Sequence, residues 1–89
     1  MRKVSTTKTI LGTQMRAARA LLRWSASDLA RRSGVSLSTI QRAESVDGET
    51  AMTIPNAAAV RRAFEDAGVE IIEEDRRGPG ARMTRPLSE

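Results

Sequence analysis

The sequence contains no cysteine, no histidine and no tyrosine, and its aromatic complement is one tryptophan and one phenylalanine in 89 residues. Without cysteine there is no disulfide framework, and without histidine as well the familiar zinc sites are excluded. The same absences remove the usual catalytic nucleophile and base, no glycine-rich loop cradles a phosphate, and Glu73, Glu74 and Asp75 read as a charge run at a strand end. No enzyme activity and no cofactor is therefore expected. Trp24 and Phe64 stand at core-like positions, and two such aromatics do not make a stacking surface for single-stranded nucleic acid. Long apolar runs are lacking too. The start, MRKVSTTKTILGTQMR, is basic but has no signal-like apolar core, and no stretch approaches the roughly 18 apolar residues of a membrane span. A soluble, cytoplasmic protein with no membrane partner is expected.

What is present is an uneven distribution of charge. Residues 1–46 hold nine Lys or Arg against Asp28 and Glu44, a net of +7, whereas residues 47–89 hold six basic and nine acidic side chains, a net of −3. A basic half attracts polyanions, and for a soluble domain nucleic acid is the commonest. The acidic half argues against indiscriminate coating of DNA. A chain of 89 residues is one domain near the small end of what a single core stabilises alone, so self-association is expected to help.

The hydrophobic pattern divides the chain. Residues 1–12 are Thr- and Lys-rich without periodicity and read as a flexible basic arm, with Lys3 and Lys8 placed to meet DNA. Four helical segments follow within residues 13–68. In Thr13 to Leu22 the residues Met15, Ala18, Leu21 and Leu22 share one face. Ser25 and Asp28 form a capping box for a second helix that ends at Gly34, where a left-handed turn costs glycine nothing. Val35 plugs the corner and Ser36 caps a third helix, LSTIQRAE, with Ile40 and Ala43 inward. Pro55 starts a fourth, IPNAAAVRRAFEDAG, stopped by Gly68. The tail, residues 69–89, changes period: VEIIEED reads as a strand, RRGPG as a turn and ARMTR as a possible return strand. Because a lone hairpin is marginal in water, it should pack on the helices or pair with another copy. Phe64, Val69, Ile71 and Ile72 are the apolar set expected at a homodimer contact.

Helix, tight turn with Gly34, then a helix with a small polar start is the helix-turn-helix pattern. The stretch from about Thr13 to Gly68 resembles the Cro and C1 repressor type of helix-turn-helix, the bacterial and phage regulator family often called XRE. The resemblance rests on RAARALLRWSASDLARRSGVSLSTIQRAE: a first-helix arginine, an S-x-x-D-L-A opening of the second helix, an A-x-x-x-G-V-S turn and an S-T-I-x-x-x-E third helix. It implies a mainly α fold, a bundle of four to five helices, here with a short C-terminal β-strand or hairpin. It also implies that Arg19 and Glu44 form a structural salt bridge between the first and third helices. Many relatives carry glutamine where this chain has Ala26, which can offer a phosphate only its backbone N–H.

An α-helix fits the major groove, and its first turn and a half reaches base edges. Ser36, Leu37, Ser38 and Arg42 are accordingly the candidate base readers, with Arg42 able to donate twice to guanine, worth about 1–3 kcal/mol of discrimination. Thr39 and Gln41 flank that stripe, and with Gln14, Arg23 and the opening N–H groups of Ala26 and Ser27 they are the candidate phosphate contacts. Acidic Asp47 and Glu49 in the following loop would repel phosphate, so that loop is expected to turn outward or to make contact through backbone N–H only. The function expected is a sequence-specific DNA-binding transcriptional regulator, a homodimer on a palindrome. The alternatives are an antitoxin with a toxin partner, or a protein-interaction module that has lost DNA binding.

Overall fold

Hydroxyl side chains open three helices of the chain. In the computed structural model, which describes residues 9–85, the elements are α1 (Gly12–Leu22), α2 (Ala26–Ser33), α3 (Leu37–Glu44), α4 (Ile54–Asp66), β1 (Val69–Ile72) and β2 (Gly80–Met83). Ser25 accepts from the Asp28 N–H at 3.0 Å while its own N–H donates to the Asp28 carboxylate at 2.8 Å, closing the capping box of α2. Ser36 accepts from the N–H of Thr39 at 3.3 Å to open α3, and Thr53 from that of Asn56 at 3.2 Å to open α4. α1 starts differently. Its first amides, of Gly12 and Thr13, donate to the carbonyl oxygens of Gly48 and Asp47 at 2.9 and 3.1 Å.

Two helices have a left-handed residue at the C-cap itself. Gly34, at φ 79°, closes α2 as its sequence position predicts. Arg23 closes α1 at φ 59° without being glycine, held by the Trp24 N–H on the carbonyl oxygen of Arg19 at 2.9 Å.

The tail is a hairpin built into the domain. β1 and β2 pair antiparallel with Val69 opposite Met83 and Ile72 opposite Gly80. β1 packs on α4 and β2 on α1, while α2 lies against both α3 and α4. The period of two puts Val69 and Ile71 inside, and Glu70 outside with Arg82 at 3.0 Å. The core joins these strands to Met15, Leu29, Ile40, Val60 and Phe64, all fully enclosed apart from Ile71 at 5% exposure. Trp24 stacks on Phe64 with ring centroids 5.9 Å apart.

Four expectations need correction. Phe64, Val69 and Ile71 are interior to the protomer, so they cannot form a dimer contact; only Ile72 of that set stays partly accessible. The boundary of the arm is also different. Ile10 is completely buried and Arg61 donates to the Thr9 carbonyl oxygen at 3.1 Å, so residues 9–12 belong to the folded body. The rest of the proposed arm, residues 1–8 with Lys3 and Lys8, and residues 86–89 lie outside the described residues. Gln14 is buried, and Leu21, expected inward, is 42% exposed because the face of α1 turned to the core is Met15 and Ala18.

Candidate nucleic-acid interface

α3 is presented by a short, tightly specified corner. Between Ser33 and Leu37 the chain has three residues: Gly34, whose N–H reaches the Ala30 carbonyl oxygen at 2.9 Å, Val35, whose N–H reaches the Ser33 hydroxyl at 3.1 Å, and Ser36. Val35 is 5% exposed and Ile40 and Ala43 are buried beside it, so one face of α3 is committed to the core. The helical period then leaves Leu37, Ser38, Gln41 and Arg42 on the exposed side, with Thr39 half-buried at its flank.

The hydroxyls at the start of α3 have different availability. Ser36 donates to Thr39 Oγ1 at 2.9 Å and accepts the Thr39 N–H, so its proton is spent within the cap. In this arrangement the exposed Ser36 oxygen can meet a base edge only as an acceptor. Ser38 keeps an exposed hydroxyl, and the Thr39 hydroxyl, used here as acceptor, retains its own proton for an outside oxygen.

Five arginines of the described chain are neutralised within it. Arg16, Arg19, Arg31, Arg61 and Arg82 each pair with a carboxylate. Within residues 9–46, Arg23, Arg32 and Arg42 have no such partner; Arg32 instead lies over the Trp24 ring at 4.9 Å. Arg42 is therefore an exposed guanidinium on α3 with all its donors available. Between it, Thr39 and Met52 lies a cavity of about 40 Å³, room for two or three waters and not for a ring.

The start of α2 carries a second polar feature. The helix geometry leaves the N–H groups of Ala26 and Ser27 without intrahelical acceptors. Next to them, the Ser25 backbone N–H, the Arg31 guanidinium at 2.7 Å and the Ser25 hydroxyl hold the Asp28 carboxyl below its ordinary value. A phosphate arriving there would meet a carboxylate whose charge is already shared with Arg31.

The Arg19 guanidinium grips both oxygens of Glu44, from Nε at 2.8 Å and Nη2 at 2.7 Å, and donates its remaining Nη1 to the Trp24 carbonyl oxygen at 2.8 Å. The Glu44 side chain is 8% exposed. The bond to Glu44 raises the Arg19 pKa above its ordinary value, so this guanidinium stays charged wherever the fold exists. α1 and the end of α3 are thereby clamped.

Gln14 belongs to the fold and not to a phosphate site. Its amide donates to the carbonyl oxygens of Ile72 at 2.7 Å and Gly80 at 3.3 Å, and its carbonyl accepts the Leu11 N–H at 2.9 Å. Asp47 is turned to Arg16, which also reaches the carbonyl oxygens of Glu44, the last residue of α3, and of Val46 in the loop that follows. Sequence reasoning missed Arg16. Its spacing of three from Arg19 placed both on one side of α1, but the loop it meets carries no periodic signal. Among the described residues no three acidic side chains gather as a metal site, and no helix is long and apolar enough to cross a membrane. Compared with known protein families the chain matches none, and no curated protein is detectably similar to it.

Proposed function

We propose that this protein is a sequence-specific double-stranded DNA-binding transcriptional regulator of the Cro/C1 helix-turn-helix kind, with α3 as the helix that enters the major groove. The observation carrying this reading is the exposed face of α3. Small Ser38, apolar Leu37 and an unneutralised Arg42 project from a helix whose other face is locked into the core. In this docking Arg42 donates to guanine O6 and N7, Leu37 meets a thymine methyl, and Ser38 bonds to a neighbouring base edge. Thr39, Gln41, Arg23 and the amides of Ala26 and Ser27 lie against the phosphates that flank the groove.

One such helix reads few base pairs, so the protein acts as a homodimer on a palindrome whose half-sites are about 10–10.5 bp apart. With Phe64, Val69 and Ile71 committed to the core, the contact between copies uses accessible apolar side chains such as Ile72 and Ile54, the latter 63% exposed. Such a regulator works in the cytoplasm on the nucleoid.

The test is selection of bound sequences from a random duplex pool, with titration of the enriched duplex at two salt concentrations. A palindromic motif bound about 10³-fold or more tightly than random duplex is the expected result. No enriched motif, with binding that is weak and steeply salt-dependent, would overturn the regulator and point to a protein-interaction role.

A further inference from the structure

Two arginines of α1 converge on the C-terminal end of α3. Arg19 holds the Glu44 carboxylate. One turn earlier, Arg16 takes hold of the backbone: its Nη1 donates to the carbonyl oxygens of Glu44 at 2.6 Å and Val46 at 3.0 Å, and its Nη2 to Asp47 Oδ1 at 2.5 Å. The last carbonyls of a helix have no intrahelical donor and carry partial negative charge, and a planar guanidinium can meet one of them and a neighbouring loop carbonyl at once. The contact is close on the backbone side as well. A Cβ added at Gly12 would lie 1.8 Å from the Val46 carbonyl oxygen, so the start of α1 abuts the same loop directly.

We infer that Arg16 is a positioning residue for base reading, fixing the rotation and depth of α3 by tying its last carbonyl, that of Glu44, and the Val46 carbonyl of the following loop to α1 without touching DNA. The inference rests on the reading of α3 as the recognition helix. Base-edge hydrogen bonds need their donors held to within about 0.5 Å, and Arg42, two residues before Glu44, inherits its placement from this end of the helix. The pairing with Asp47 has a second consequence. It neutralises a guanidinium that would otherwise attract any phosphate, and it draws the acidic side chain of the loop onto α1.

The experiment uses the charge-neutral double variant Arg16→Gln, Asp47→Asn, so that net charge and long-range attraction to DNA are unchanged. Binding is titrated with the selected duplex and with random duplex, at a temperature where circular dichroism shows the variant fully folded. The expected result is about ten-fold weaker binding to the selected duplex, with affinity for random duplex within about two-fold of wild type. Selected-duplex affinity within two-fold of wild type would overturn the proposal. If the double variant does not fold, Arg16→Lys serves: its ammonium keeps the charge but cannot span three acceptors, so a selective, smaller loss on the selected duplex is expected and wild-type selectivity overturns the claim. A wild-type protein that prefers no sequence at all fails before any substitution is made, which separates failure of the DNA reading from failure of this one.

Discussion

The side-chain amide of Gln14 donates to the carbonyl oxygen of Ile72 at 2.7 Å, joining the first turn of α1 to the end of β1 across 58 residues of sequence. Together with the bond to Gly80 it makes the hairpin part of the domain's framework. The strands supply Val69 and Ile71 to the same core as Met15 and Phe64, so their apolar faces are satisfied within one protomer.

Gln14→Ala strands two strand carbonyls and the Leu11 N–H at once. The expected loss is about 1–3 kcal/mol of folding stability, read by urea denaturation. DNA affinity of the folded variant is expected to stay at the wild-type level, because the side chain is enclosed. A uniform fall in DNA affinity with unchanged stability would restore Gln14 as a phosphate contact.

Arg19→Ala leaves the Glu44 carboxylate enclosed without its partner. Breaking such a pair typically costs about 3–5 kcal/mol, so the variant is expected to be partly or fully unfolded at ordinary temperatures. Replacing both residues by apolar ones, Arg19→Met with Glu44→Leu, is expected to cost far less. Equal losses in single and double variants would show that packing at this site, not the stranded charge, sets the penalty.

Much of this was legible in the residues, and the reasons for the rest are physical. Start signals are local, so Ser25 with Asp28, Ser36 and Pro55 mark helix starts that the structure places there. VEIIEED read as a strand, but its apolar side chains carry no signal of what covers them. For that reason Val69 and Ile71 read as a dimer surface when their cover is α4 and the rest of the core. Gln14 looked like a polar helix-start residue because its acceptors are far along the chain. Arg23 gave no sign of a helix stop, since its left-handed turn is imposed by the Trp24 N–H reaching back to Arg19 and not by its own side chain.

Asp28 sets a pH dependence. Its carboxyl lies below the ordinary 3.8 in the folded protein, so the stability it contributes is fully present above that value and is lost as pH falls through it towards the folded value. The wild type is therefore expected to exceed Asp28→Asn in stability at neutral pH, with the gap closing as acid is added below about 4. Urea titrations of both proteins across that range provide the check. A gap that is constant down to the acid limit of folding would contradict the assignment.

The most direct measurement is the affinity of wild type and Arg42→Ala for the selected duplex and for single-base-pair variants of it. If α3 reads the major groove through this guanidinium, the wild type discriminates one G·C pair in each half-site by about 1–3 kcal/mol and Arg42→Ala loses that discrimination alone, keeping its preference at the other positions. A loss spread evenly over all sequences, with a shallower dependence on salt, would make Arg42 a phosphate contact; unchanged binding would remove α3 from the interface.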